Sequence, residues 1–141
     1  MTGTLIRDET GTQRLIGYVL DVGPSDGDQP DKAARCILDL DDRHLNRQGV
    51  LHGGLAATLL DSAMGATGSL TVDPSGRHPF TTLALTVNYL APGRPGQVTA
   101  SGRLTGGGRS TLFIEGTLRH QDGTLIATAT GVFRKSSKGP A

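Results

Sequence analysis

Apolar and polar positions change rhythm twice along this chain. Between Gly53 and Leu70 the apolar residues Leu55, Ala56, Leu59, Leu60, Ala63, Met64 and Ala66 recur at the 3.6-residue spacing of a helix with one buried face. On either side the rhythm is closer to two, the period of strands. Arg14 to Val22 predicts a first strand, with Leu15, Gly17, Val19 and Asp21 alternating against Ile16, Tyr18, Leu20 and Val22. Ala33 to Leu40 predicts a second. Phe80 to Leu90, Gln97 to Leu104, Ser110 to Arg119 and Thr124 to Arg134 predict four more. Gly/Pro/Asp clusters punctuate these runs: residues 23–31, Asp73-Pro-Ser-Gly76, residues 91–96, Thr105-Gly-Gly-Gly108 and Gln121-Asp-Gly123. Connections this short join antiparallel neighbours, not parallel strands with crossover helices. The expectation is an α+β domain over residues 14–135, in which a long antiparallel six-stranded sheet wraps one central helix. A polar arm, residues 1–13, precedes it, and a flexible tail, residues 136–141, follows.

Composition narrows the function classes. A chain of 141 residues fits one domain with a real core. A net charge of +1 advertises neither nucleic acid nor a membrane surface as partner. Three Phe, two Tyr and no Trp make a poor base-stacking platform. The single cysteine, Cys36, excludes an internal disulfide framework, and its alternating surroundings suit a small buried thiol. His44, His78 and His120 share no metal-ligand spacing and read as surface or loop residues, so no metal site is expected. The first residues carry no basic segment followed by an apolar one, and Asp61, Ser62, Thr67 and Ser69 interrupt the longest apolar stretch. Neither a leader nor a membrane span is expected, and the cytoplasm is the default setting. The 21 glycines suit tight hairpins between periodic strands.

Chemistry concentrates at the start of the helix and two turns into it. His52-Gly53-Gly54 opens the helix, where backbone N–H groups have no intrahelical acceptor and face a polarised or anionic oxygen. Asp61 is a carboxylate inside a mostly apolar run, a costly placement unless it is paired or used. The first feature holds an electrophilic carbonyl; the second activates water or attacks. Each also has a plainer reading. Asp61 could be satisfied by a nearby hydroxyl, the glycine pair could serve close packing, and Asn46 could be a turn former. His52 at the helix mouth suits an orienting role better than proton transfer.

The pattern Asn46-x-x-Gly49-x-x-His52-Gly53-Gly54, with Asp61-x-Ala63 seven residues on, resembles the hotdog-fold acyl-CoA thioesterases of the PaaI-like, phenylacetyl-CoA thioesterase-type branch. Thr82-Leu-Ala-Leu-Thr-Val-Asn-Tyr89-Leu-Ala-Pro92 and Asp122-Gly-x-Leu-Ile-Ala127 extend the likeness over about residues 14–134. The resemblance implies a hotdog fold and thioester hydrolysis without a cofactor, coenzyme A being part of the substrate. It implies that Asn46 and Gly53 bind the thioester carbonyl, that Asp61 attacks or activates water, and that Thr82 positions that water. His52, Gly54 and Arg109 are the implied substrate-binding residues. Arg77, Arg94, Arg134 and Lys135 are further candidates for the CoA phosphates. A glutamate-bearing sister branch carries a threonine one turn after its carboxylate; Gly65 occupies that position here, which favours the aspartate branch.

Eight residues separate Gly53 from Asp61, roughly 12 Å along one straight helix. No single thioester reaches both, so the groups act together only across a two-fold axis, with Gly53 from one subunit and Asp61 from its neighbour. The resemblance implies the same straddling site, with a homodimer as the minimal unit and a homotetramer, a dimer of dimers, as the expected assembly. Two other readings stay open. One is a hotdog dehydratase or hydratase, disfavoured because the proline-rich segment after its histidine is absent. The other is a non-catalytic acyl-CoA-binding module, disfavoured because Asp61 is present. The acyl group itself, whether aryl-acetyl, benzoyl or aliphatic, is left open.

Overall fold

The computed structural model describes residues 4–23 and 33–137. Most of the expected turn over residues 23–31 and the last residues of the expected tail lie outside them. In chain order the elements are β1 (Leu5–Ile6), α1 (Gly11–Ile16), β2 (Val19–Asp21), β3 (Arg35–Asp39), a 3₁₀ turn (Asp42–His44), α2 (Gly53–Leu70), β4 (Phe80–Tyr89), β5 (Gln97–Gly107), β6 (Thr111–His120) and β7 (Leu125–Lys135). All pairings are antiparallel, in the order β1-β2-β3-β5-β6-β7-β4. The long helix falls on the residues its periodicity predicts, and the sheet carries seven strands where six were expected.

The extra strand belongs to the segment expected to be a polar arm. Leu5–Ile6 pairs with β2, and Arg77 Nη2 binds the Glu9 carboxylate at 2.6 Å. Those hydrogen bonds hold the Glu9 carboxyl below its ordinary range. The first predicted strand is also half wrong. Residues 14–16 are helical, because Thr10 caps α1 by accepting the Gln13 N–H, and Gly17 ends it in the left-handed region at φ 91°. Gln13, buried, donates its amide to the carbonyls of Ile6 (2.7 Å) and Tyr18 (3.1 Å) and so ties α1 to the strands beside it.

His44 is a second correction, since it lies in the core and not on the surface. Its Nδ1 accepts the Asp41 N–H at 2.9 Å, which leaves Nε2–H to donate to the Ile16 carbonyl at 2.8 Å. The ring therefore bridges the 3₁₀ turn that leads towards α2 and the end of α1. Cys36 is buried as expected, and burial pushes its thiol well above the ordinary range, so it stays protonated and inert.

The core lies between α2 and the concave sheet face. Leu59, Leu60, Ala63 and Met64 pack against Val98, Ala100, Ile114, Leu118, Ala129 and Phe133. Three glycines inside the predicted strands lie beneath the helix. A Cβ on Gly116 would come within 2.7 Å of Met64 Sδ, and one on Gly131 within 3.0 Å of Met64 Cε. A Cβ on Gly102 would overlap Thr67 Oγ1 and stand 3.0 Å from the Ala63 carbonyl oxygen. Thr67 cannot rotate away cheaply, because its hydroxyl donates to Ala63 O at 2.8 Å and accepts the Ala34 N–H at 3.0 Å. Gly102→Ala is therefore expected to destabilise the fold by about 2–3 kcal/mol, the cost of overpacking a site that cannot relax. A guanidinium midpoint unchanged from wild type would contradict this seat for α2.

Candidate active site

The chain enters α2 through a loop built by Asn46. Its Oδ1 accepts the N–H groups of Gln48 (2.9 Å) and Val50 (3.3 Å), while backbone bonds Asn46 N–H to Val50 O and Gly49 N–H to Asn46 O close the turn. The turn-forming reading of Asn46 is thus correct as far as it goes. It also has a chemical consequence. With Oδ1 fastened to two donors, the amide orientation is fixed and Nδ2, which has no partner among the described residues, remains a donor.

His52 is the N-cap of α2. Its Nδ1 accepts the Gly54 N–H at 2.9 Å, and its carbonyl accepts the N–H groups of Leu55 and Ala56, both at 3.0 Å. Three of the first four amides are thereby satisfied. The Gly53 N–H alone has no acceptor among the described residues. The two glycines differ in purpose. A Cβ on Gly54 would stand 3.0 Å from His52 Cε1, so the cap itself requires glycine there. A Cβ on Gly53 would meet nothing closer than the Tyr89 ring at 3.5 Å, an ordinary contact. Own-chain packing therefore does not demand a glycine at 53.

Two turns along the helix, Asp61 is half-buried and its Oδ1 accepts the Thr82 hydroxyl at 2.6 Å. Asp61 Oδ2 has no protein partner among the described residues. The family resemblance implies that Thr82 acts beside Asp61, and the structure brings the two side chains together. A bulge between Thr82 and Ala84 re-aims the strand there and leaves Leu83 half exposed. At the other end of β4, Tyr89 donates its hydroxyl to the Gly53 carbonyl at 2.7 Å. Tyr89 falls within the Thr82–Pro92 motif, where the sequence alone assigns it no role.

Two groupings result, and one chain does not join them. His52, Gly53 and Gly54 stand at the mouth of α2, with Asn46 in the loop that leads into it, whereas Asp61 and Thr82 form a carboxylate–hydroxyl pair about 12 Å along the helix. Arg109 lies exposed in the β5–β6 hairpin and makes no hydrogen bond or ion pair among the described residues. Arg77 is engaged with Glu9. Among the described residues no group of three or more His, Cys, Asp or Glu could hold a metal, and no helix is long and apolar enough to cross a membrane.

Comparison with known proteins meets this geometry from outside. Residues 48–127, which include the α2 donors, Asp61 and Thr82, match the family model of the thioesterase superfamily. Acyl-coenzyme A thioesterase 13 of the mouse is 30% identical over 94 residues, covering 65% of this chain and 65% of that enzyme. The PaaI protein of the E. coli phenylacetic acid degradation operon superposes with a TM-score of 0.76 over 94% of this chain and 88% of its own, at 20% identity, a likeness of fold. A Streptococcus mutans protein bound to acetyl CoA is 28% identical, with a TM-score of 0.64 over 77% of this chain and 82% of its own. With more than half of its length matched by the family model, the chain belongs to the thioesterase superfamily.

Proposed function

We propose that two copies of this chain build a shared site that hydrolyses an acyl-CoA thioester to a free acid and CoA. Thioester hydrolysis as a class follows from the family; the substrate handle and the division of labour are the proposal. Its main support is the distance between the two groupings. Reacting atoms must come within about 3–3.5 Å of each other. A donor site and a carboxylate some 12 Å apart on one helix cannot meet at one carbonyl. A two-fold arrangement of antiparallel helices brings Gly53 of one subunit towards Asp61 of the other, twice per dimer.

The sheet offers a surface for that pairing. β4 is ten residues long, ends the strand order, bonds only to β7, and is exposed along most of its length. An unprotected edge of that length is a template for another strand. A β4–β4 pairing would continue the sheet through the two-fold and carry each Thr82–Asp61 pair towards the partner.

In the proposed site the Gly53 N–H and Asn46 Nδ2 donate to the carbonyl oxygen and stabilise the charge that develops there. Asp61 of the neighbouring subunit takes a proton from water as the water oxygen bonds to the acyl carbon. Alternatively its carboxylate attacks directly, and water then cleaves the anhydride. Either way the C–S bond breaks, CoA departs as thiolate and is protonated, and the acyl group leaves as acid. Thr82 holds one Asp61 oxygen and leaves the other free to act. His52 and Gly54 shape the donor turn, and Arg109 is the proposed contact for CoA phosphate. The acetyl CoA bound by the Streptococcus mutans relative supports CoA as the handle. The reading includes a homotetramer made of two such dimers. It also includes a cytoplasmic setting, in keeping with the free thiol of Cys36.

Thiol release from a panel of acyl-CoAs tests the reading. Asp61→Asn is expected to lower turnover by about 10²–10⁴-fold, the usual worth of a positioned acid–base group. Thr82→Val, which keeps the shape and removes the donor, is expected to cost about 10-fold. Full activity in Asp61→Asn would sink the assignment. Complementation tests the shared site: unfolding and refolding an equal mixture of Asp61→Asn and Gly53→Val chains yields heterodimers in which one site carries both lesions and the other none. Activity should return to roughly a quarter of wild type. Mixtures no more active than either parent would show that each chain works alone.

A further inference from the structure

The first turn of α2 has a task at odds with its composition. It must hold one bare N–H in a fixed direction, yet its first two residues are glycines, the least helix-favouring residues apart from proline. Two side chains from outside the turn hold it. The His52 ring takes the Gly54 N–H, and the Tyr89 hydroxyl donates to the Gly53 carbonyl at 2.7 Å.

Burial does not explain Tyr89. It is the last residue of β4, 55% of its surface is exposed, and its ring lies 3.5 Å from where a Gly53 Cβ would be. What fixes the ring over the helix mouth is its hydroxyl contact. The acceptor is also informative. The Gly53 carbonyl belongs to the peptide unit after the one that carries the Gly53 N–H. Tyr89 therefore cannot act on that N–H by direct polarisation; it acts by fixing the backbone torsions between the two units.

We infer that Tyr89 is a positioning residue for the donor half of the site, clamping the flexible Gly53-Gly54 turn so that the Gly53 N–H stays directed at the substrate carbonyl. This rests on the reading above in which that N–H receives the thioester oxygen. With Tyr89 assigned, β4 grips α2 at both reactive points through hydroxyls: Thr82 on the Asp61 carboxylate and Tyr89 on the Gly53 carbonyl. The strand whose open edge faces a second copy is thus the strand that sets both halves of the site.

Tyr89→Phe keeps the ring and removes only the hydroxyl. In ¹⁵N relaxation of the labelled protein, order parameters of Gly53 and Gly54 are expected to fall from about 0.85 towards 0.6, with residues 59–66 unchanged. In steady state kcat should fall about 3- to 10-fold at constant KM. The loss should be absorbed in a Gly53→Ala background, where the double variant is no slower than the worse single one. Unchanged order at Gly53 and Gly54 overturns the clamp, and so does a loss confined to KM, which would make Tyr89 a wall of the pocket. If wild type releases thiol from no acyl-CoA, the hydrolase reading fails while the relaxation measurement still decides the clamp.

Discussion

The close seat of α2 on the sheet is the constraint on which the rest of the molecule depends. Gly102, Gly116 and Gly131 lie on three adjacent strands, and each removes a side chain where the helix would otherwise be held away. Thr67 then locks the seat by bonding the helix to itself at Ala63 and to the strand side at Ala34. Packing this close fixes the rotation of α2 about its axis. Leu59, Leu60, Ala63 and Met64 are committed to the core, so the opposite face, with Gly54, Thr58, Asp61, Ser62 and Gly65, is left incompletely covered. A carboxylate on that face is half-buried and held by one hydroxyl, where a quarter turn of the helix would have buried it among aliphatic side chains at prohibitive cost.

Once the helix is seated, β4 decides how its open face is used. The strand bonds to the sheet on one side only, so its position relative to α2 depends on what its side chains reach. Thr82 reaches Asp61 and Tyr89 reaches Gly53, with the bulge near Leu83 adjusting the strand between them. Both contacts are hydroxyl donations to groups on α2. They hold the proposed reactive points in place without neutralising them: among the described residues, one Asp61 oxygen and the Gly53 N–H have no partner.

Much of this was legible in the residues, and the gaps have physical causes. The bounds of α2 follow from periodicity over five turns, a signal few other arrangements produce. α1 was hidden because six residues cannot establish a period. Leu15 and Ile16 fit a strand as well as a helix, and only the short Thr10-x-x-Gln13 cap, confirmed by a buried amide bonding across to Ile6 and Tyr18, separates the two. His44 was misplaced because a histidine reads alike in a loop or a core; the signal available was the Asp41-x-x-His44 spacing of a reciprocal cap. Gly102, Gly116 and Gly131 fall inside predicted strands, but their purpose was not legible there because it lies in a helix about 35 to 67 residues away in sequence. Asp61 and the Gly53 turn stood out by their local setting at the head of α2 and inside its apolar run, whereas Thr82, 21 residues beyond Asp61, was reached only through the family resemblance. Tyr89 was in plain view and had no task until the helix mouth was seen beneath it.

On the proposed division of labour, the same geometry leaves a single chain an unfinished catalyst. A helix can present amide donors only at its N-terminus, because further along every N–H is consumed by the carbonyl four residues back. A carboxylate placed in that first turn would itself take up the free N–H, capping the helix and silencing the donor. Separation by about two turns avoids that quenching, and here His52 fills the cap position with a neutral acceptor for Gly54 that leaves Gly53 bare. Keeping donor and carboxylate apart within one helix thus protects both. A second copy running in the opposite direction is the simplest way to bring them together at one carbonyl. On this argument the symmetric dimer is the form in which two groups that must not meet inside a chain can meet around a substrate.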